Sequence, residues 1–146
     1  MQKVIKSNEA WMKLIEEEIN VRNDNVLILA LVGELGAGKT TFTQSLGKVL
    51  GIKDNVISPT FIVHREYKID DKRFLHHLDL YRLKDNKELT EILTDNLFRP
   101  GNVIVIEWAD KFKPEIVELA KKHESDLVWI HFEHINETSR KVTIKK

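Results

Sequence analysis

The chain of 146 residues contains no cysteine. This absence excludes disulfides, catalytic thiolates and zinc sites built from cysteine ligands, and it suits a reducing compartment. The chain also has no excess of charge of either sign, because 23 Lys and Arg side chains balance 23 Asp and Glu side chains. Contact with nucleic acid would therefore depend on a local basic patch, since the net charge gives no general attraction.

Long apolar runs and targeting segments are missing as well. The longest apolar run, residues 26–32, is far shorter than a membrane-spanning helix. The first residues do not show the basic, apolar and small-residue succession of a secretory signal. The sequence has no internal repeat, linker or low-complexity segment, so we expect one soluble, cytoplasmic domain over residues 1–146, with no contact to a membrane.

What is present is a glycine-rich segment at residues 33–41, which reads GELGAGKTT and matches the phosphate-binding pattern G-x-x-x-x-G-K-[ST]. It follows the strand-like run 26–32 and precedes a helix-like stretch, residues 40–50, which is the order that this motif requires. Small residues at Gly36, Ala37 and Gly38 let consecutive backbone N–H groups turn toward a polyphosphate.

The residues that follow the glycines supply charge and a metal ligand. Lys39 adds a positive charge, and the N-terminus of the helix directs its N–H groups and its dipole to the same phosphates. The hydroxyl of Thr40 suits a Mg²⁺ ion that bridges the terminal phosphates, and Thr41 continues the predicted phosphate site. A turn that binds nothing is the alternative, but a buried lysine without an anion would then be hard to explain.

Two acidic residues are candidate partners of this loop. Glu107 directly follows the apolar run 103–106, which is the strand-then-acid arrangement of a Walker B segment. Asp79 follows the predicted strand 74–78 and could reach the same metal, although an acid at a strand end is as often a turn or helix cap. A third segment, Ser58-Pro59-Thr60, is either a nucleotide-sensing mobile loop or a simple bend between strands.

The hydrophobic pattern predicts the architecture. We expect an α/β fold, a P-loop NTPase three-layer sandwich with a mixed, mainly parallel sheet, helices on both faces and an antiparallel hairpin. The hairpin comprises strands at 61–67 and 74–78. The remaining predicted elements are helices at 7–21, at 87–97 and from Pro114, and strands at 26–32, 103–106, 127–132 and 140–144.

Four segments together resemble the bacterial TsaE (YjeE) family in sequence, order and spacing. They are the loop 33–41, Ser58-Pro59-Thr60-Phe61, residues 77–82 (HLDLYR) and Ile106-Glu107-Trp108. The last three are not general features of P-loop kinases, GTPases or transporters. The resemblance extends from the helix at residue 7 to the strand around Arg140.

The resemblance implies an ATPase that is required for the N6-threonylcarbamoyladenosine (t6A) modification at position 37 of tRNAs that read ANN codons. It implies ATP and Mg²⁺ as cofactors and the proteins TsaD and TsaB as partners, with tRNA reached indirectly through that complex. By the same resemblance, Lys39 and the loop backbone bind phosphates, Thr40 ligates Mg²⁺ and Glu107 holds the metal or orients water.

The resemblance assigns four further roles. Asp79 belongs to the metal and γ-phosphate site, Thr60 is switch-like and Trp108 supports the site. Arg140 lies against the adenine, with Lys141 as an adjacent competitor for that role.

Two other functions remain open on the sequence. A small-molecule or nucleotide kinase would need an acceptor pocket and usually an arginine-rich lid, but residues 83–97 contain no arginine. A nucleotide-dependent interaction module would act through the bound state alone. Guanine nucleotides are disfavoured because no N-K-x-D stretch is present, and hydrolysis by the isolated chain should be slow because no arginine finger is evident.

Overall fold

A computed structural model describes residues 1–22, 24–34, 36–57, 59 and 63–146, and within these ranges seven strands form one sheet. The strand order is β1-β7-β6-β2-β5-β4-β3. The four central strands β6, β2, β5 and β4 run parallel, and the remaining pairings at the two sides are antiparallel. The strands are β1 (Gln2–Ile5), β2 (Leu27–Val32), β3 (His64–Lys68), β4 (Phe74–Asp79), β5 (Val103–Glu107), β6 (Asp126–His134) and β7 (Arg140–Lys145).

Helices cover both faces of this sheet, as predicted. The helices are α1 (Asn8–Glu18), α2 (Lys39–Val49), α3 (Asn86–Ile92) and α4 (Lys113–Lys122). One hydrophobic core lies between the sheet and α1 with α2, and the other between the sheet and α3 with α4. Strands β2 and β5 contribute to both cores, which explains why their sequences are apolar without alternation. The predicted three-layer α/β architecture is therefore confirmed.

The helix that follows the glycine-rich loop ends in a Schellman motif. Gly51 takes the left-handed conformation with φ of 78°, where a side chain would be strained. The N–H of Ile52 donates to the carbonyl of Gly47 at 2.9 Å, and the N–H of Gly51 donates to that of Lys48 at 3.1 Å. The predicted helix at 40–50 is thus confirmed to within one residue at each end, and Gly51 accounts for its end.

Two sequence predictions require correction, and one strand was missed. The first helix was predicted over 7–21 but ends at Glu18, because the chain becomes extended at Ile19. The helix predicted over 87–97 consists of α3 and a separate 3-10 turn at Asp95–Leu97, since the backbone leaves the helical conformation at Leu93. Strand β1 was not predicted, because four residues with mostly exposed side chains carry little signal.

No helix within the described ranges has both the length and the apolar composition that crossing a bilayer requires.

Candidate functional site

The glycine-rich loop adopts a backbone that only small residues tolerate. Gly36 and Gly38 have φ values of 78° and 107°, both in the left-handed region. Gly38 is the N-cap of α2, and its carbonyl accepts the N–H of Phe42 at 2.9 Å. Because glycine has no side chain to cap the first turn, the N–H groups there remain available to an anion at the helix N-terminus.

Lys39 is the first residue of α2 and is buried, with 5% of its surface exposed. Its Nζ donates to the carbonyl of Gly33 and lies 3.8 Å from the centre of the Trp108 ring. Burial lowers the pKa of Lys39 below its ordinary value, while the charges of Glu107, Asp79 and Asp110 oppose that shift. The lysine is therefore held at the loop by contacts that a phosphate group could replace.

Asp79 and Glu107 end the neighbouring parallel strands β4 and β5 and face each other in register. Both are buried, at 5% and 4% exposure. The sequence predicted Glu107 at this edge of the sheet and left Asp79 between a metal-site role and a turn cap; the strand register brings the two residues together. Asp79 Oδ1 also accepts the N–H of Tyr81 at 2.9 Å, so it caps the turn after β4 as well.

A lysine fixes that turn against the segment after β5. Lys111 Nζ donates to the carbonyls of Leu80, Tyr81 and Leu83 at 3.2, 2.7 and 2.9 Å. Lys111 lies in the 3-10 helix Ala109–Phe112, which begins immediately after Trp108. The positions of Asp79 and of the Trp108 segment are therefore coupled through one ammonium group.

Trp108 lies against Lys39 and has a left-handed backbone conformation. It is one of three non-glycine residues with positive φ among the described residues, at φ of 59°. Its ring lies beneath the ammonium of Lys39 and packs against the ring of Tyr81 with centroids 5.0 Å apart. Left-handed backbone at a tryptophan costs free energy and is typical of functional sites.

These elements surround a cavity of about 680 Å³. This is within the usual range for small-molecule sites, roughly 300–1,000 Å³. The loop side is formed by Gly36, Gly38, Lys39, Thr40 and Thr41, and the acidic side by Asp79, Tyr81, Glu107 and Trp108. A third side is formed by Ile5, Lys6, Ser7, Asn8, Trp11, Glu137, Thr138 and Arg140.

Most of the third side was missed by the sequence analysis. It arises because β1 pairs with β7, with Ile5 opposite Arg140, so that the start of α1 lies beside the β6–β7 loop. Trp11 contacts the rings of Phe42 and Phe132 and also lines the cavity. Ser7 is the N-cap of α1, and its hydroxyl accepts the N–H of Ala10 at 3.1 Å.

The other predicted site residues are distributed as follows. Arg140 reaches the cavity and donates through Nε to the carbonyl of Gly36 at 3.0 Å, so it contacts the loop itself. Ala37 lies beneath the loop, with its side chain in the core and its N–H donating to the carbonyl of Glu34 at 3.1 Å. Thr60, together with Ser58, lies outside the described residues. Lys141 is paired with Glu133 at 3.6 Å.

The residues present fit a magnesium ion. Within the described ranges, no three histidine, aspartate or glutamate side chains are grouped closely enough to hold a metal by themselves. Mg²⁺ is ordinarily held by one or two carboxylates together with water and phosphate oxygens. Glu107, Asp79 and the hydroxyl of Thr40 line one cavity and offer that donor set.

The parallel sheet, the glycine-rich loop at the start of α2 and the two carboxylates at the same edge define a protein with the P-loop fold. The model of the family "Threonylcarbamoyl adenosine biosynthesis protein TsaE" matches residues 5–142. The chain belongs to this TsaE family, as the resemblance of its four segments predicted.

Individual relatives agree with this assignment. A TsaE of Aquifex aeolicus is 33% identical over 143 residues, which cover 97% of this chain and 92% of that protein. A TsaE of Haemophilus influenzae is 36% identical over 99 residues, covering 68% and 62%, and one of Bacillus subtilis is 40% identical over 89 residues, covering 61% and 54%. The matches to the last two therefore span less than two thirds of either relative. All three are described as tRNA threonylcarbamoyladenosine biosynthesis proteins.

A solved structure has the same fold. The crystal structure of Bacillus subtilis YdiB matches with a TM-score of 0.63 and 26% sequence identity, and the match covers 99% of this chain and 83% of that one.

Proposed function

We propose that this protein is a Mg²⁺-dependent ATPase required for the t6A modification at position 37 of ANN-decoding tRNAs, and that it acts with the TsaB–TsaD transferase complex in the cytoplasm. Membership of the TsaE family supports the pathway, because relatives are named for threonylcarbamoyladenosine biosynthesis. The observation that carries the ATPase proposal is the convergence of Lys39, Asp79 and Glu107 on one cavity at the N-terminus of α2.

Each group has a role that its position favours. The first-turn N–H groups and Lys39 bind the β- and γ-phosphates, and Thr40 with the two carboxylates holds the metal. Bound Mg²⁺ neutralises charge that develops on the phosphate oxygens. Glu107 orients the attacking water and Arg140 contacts the adenine end of the nucleotide, which are the roles that the family resemblance implies for them.

Hydrolysis by the isolated chain should be slow. Stabilisation of the transferring phosphoryl group by an arginine finger accounts for roughly 10³–10⁵ in rate among related enzymes. The one arginine that lines the cavity is Arg140, among the described residues, and it is bound to the loop carbonyl of Gly36. We therefore expect TsaB and TsaD to complete the site and to raise the rate.

The site is tested by Lys39→Ala, with Lys48→Ala as the matched control at the exposed far end of the same helix. Lys39→Ala should weaken the binding of Mg²⁺–ATP, measured by calorimetry, at least tenfold, because it removes a charge-assisted contact worth about 1.5–3 kcal/mol. Lys48→Ala should bind as the wild type does. Equal affinities for wild type and Lys39→Ala would refute the assignment.

The reaction is tested with ATP labelled on the γ-phosphate. We expect label only in inorganic phosphate, at a rate raised by TsaB and TsaD and abolished by Glu107→Ala. Transfer of label to a small acceptor would instead identify a kinase.

The cellular role is tested by depletion of the protein and mass spectrometry of tRNA nucleosides. We expect t6A to fall, to be restored by the wild-type chain and not to be restored by Glu107→Ala. Persistence of t6A after depletion would contradict the proposed pathway, and restoration by Glu107→Ala would favour an interaction module that needs only the bound nucleotide.

A further inference from the structure

Strand β4 carries two consecutive histidines whose side chains point to opposite faces of the sheet. His77 is completely buried, and its Nε2 lies 2.6 Å from Oε2 of Glu107, whose side chain is 5% exposed. The two residues lie on neighbouring parallel strands. Glu107 is in register with Asp79, and His77 lies two residues before Asp79 on the same strand. The contact therefore joins the middle of β4 to the acid at the end of β5.

The chemistry of the two groups sets the direction of this bond. An ionised carboxylate oxygen can only accept, so the proton lies on Nε2 and the ring donates to Oε2. Such a bond to a charged acceptor is short and strongly directional when water is excluded. With Oε2 bonded to the ring, Oε1 is the oxygen that Glu107 presents for the cavity.

The other ring nitrogen of His77 shows that this arrangement is not ordinary packing. Among the described residues, Nδ1 of His77 is buried and has no hydrogen-bond partner. The adjacent His76 differs, because its Nδ1 lies 3.0 Å from Nε2 of His64 and its Nε2 lies 3.4 Å from Nδ2 of Asn102. A buried ring with one unsatisfied nitrogen reduces stability, and among the described residues the bond to Glu107 is the hydrogen bond that orients the His77 ring.

We propose that His77 is a positioning residue that holds the carboxylate of Glu107 in the orientation needed to orient water and contact the metal. This inference rests on the ATPase function proposed above. Glutamate has three rotatable side-chain bonds, and the ring removes that freedom before the nucleotide arrives. Partners that orient a metal-binding or catalytic carboxylate in this way typically contribute about 10–100-fold in activity or metal affinity.

The decisive comparison is His77→Gln against His77→Met. The glutamine amide places its Nε2 donor the same number of bonds from the backbone as the histidine Nε2, whereas methionine has a similar length and no donor. The matched control is His76→Met, on the next residue of the same strand but on the opposite face. Thermal unfolding of all three variants separates loss of stability from loss of function.

We expect His77→Met to lower kcat for ATP hydrolysis about 10–100-fold with KM changed less than about twofold, and His77→Gln to stay within about threefold of wild type. Calorimetry with a non-hydrolysable ATP analogue gives a second readout. His77→Met should lose most of the gain in affinity that Mg²⁺ provides, while its affinity without Mg²⁺ is unchanged. His76→Met should match wild type in both measurements.

The outcomes distinguish this inference from the proposed function. All rates are measured with TsaB and TsaD present, and a wild-type protein that does not hydrolyse ATP in that complex overturns the proposed function and the role of His77 with it. An active wild type with equally impaired Gln and Met variants, or with a fully active Met variant, overturns only the role of His77. Should both His77 variants fail to fold, long-range ¹H–¹⁵N spectra of the wild-type histidine rings still decide, because the inference requires the Nε2–H tautomer and an Nδ1–H tautomer would refute it.

Discussion

Replacement of Gly33 by alanine should destabilise the protein because the added methyl group has no room, and not because of the backbone conformation at this position. A Cβ at this position would lie 2.9 Å from the backbone oxygen of Phe132, 3.0 Å from its Cβ and 3.3 Å from the Cβ of Ala37. The first contact is closer than real Cβ atoms allow. Gly33 has no positive φ, unlike Gly36 and Gly38, so the loop needs its glycines for two different reasons.

Phe132 cannot move away easily. It lies in β6, which is paired with β2 on one side and with β7 on the other, where Phe132 is in register with Val142. To relieve the clash, the backbone of residue 33 must therefore move, and with it the carbonyl that accepts a hydrogen bond from Lys39 Nζ. Insertion of one methyl group into such a packed position costs about 1–3 kcal/mol. For a domain of this size each kcal/mol lowers Tm by about 2–4 °C.

The measurement is urea and thermal unfolding of Gly33→Ala beside Gly36→Ala. A Cβ at Gly36 would have no atom within 4 Å, so that variant loses only about 1–2 kcal/mol through its left-handed backbone. Asparagine tolerates this conformation, so Gly36→Asn should recover part of the loss, whereas Gly33→Asn should be at least as unstable as Gly33→Ala. A Gly33→Ala protein within about 0.5 kcal/mol of wild type would refute the steric argument.

Three further predictions concern the scaffold. Gly51→Ala should lower the free energy of unfolding by about 1 kcal/mol and Gly51→Asn by less, since Gly51 is the left-handed residue of the Schellman motif; equal losses in urea unfolding would contradict this. Phe132→Ala should cost about 3–5 kcal/mol, because its ring packs 5.6 Å from those of Trp11 and Phe42; a loss below 1 kcal/mol would exclude a role for the aromatic cluster. Burial lowers the pKa of His76 from 6.5 to about 4. Between these two pH values, the unfolded chain therefore binds a proton at His76 and the folded chain does not. Stability should therefore be complete above pH 6.5 and fall toward pH 4 by at most about 1.4 kcal/mol per unit, and a His76→Met variant with an equally steep pH dependence would exclude this source.

Local patterns predicted the part of the site that the central strands build. The apolar runs before Gly33 and Glu107 indicate strands buried on both faces, and parallel strands bring their carboxyl ends to one edge. On that basis both Glu107 and Asp79 could be expected at the edge that holds the loop, and the pairing of β4 with β5 then makes them neighbours. Asp79 was expected either to reach the metal or to cap a turn. Its position allows both, because the side chain caps the turn after β4 and also lines the cavity.

Pairings between distant segments could not be predicted. The apolar spacing of Leu89, Leu93 and Leu97 is that of one helix, yet all three residues are also buried when the helix breaks at Leu93. The bond between His77 and Glu107 depends on which strand neighbours β4, and no spacing in the sequence encodes it. Tertiary packing decides both cases.

The antiparallel pairing of β1 with β7 has a consequence for the order in which the molecule assembles. Residues near position 5 meet residues near position 140, so this contact closes a loop that includes nearly the whole domain. Contacts of such high sequence separation carry a larger loop-closure cost than local helices and hairpins, which slows their formation. The phosphate loop and its lysine arise from adjacent segments, whereas the side of the cavity that holds Ser7 and Arg140 depends on this final closure. During synthesis of the chain, the side of the cavity opposite the phosphate loop therefore cannot form before residue 140 has been added.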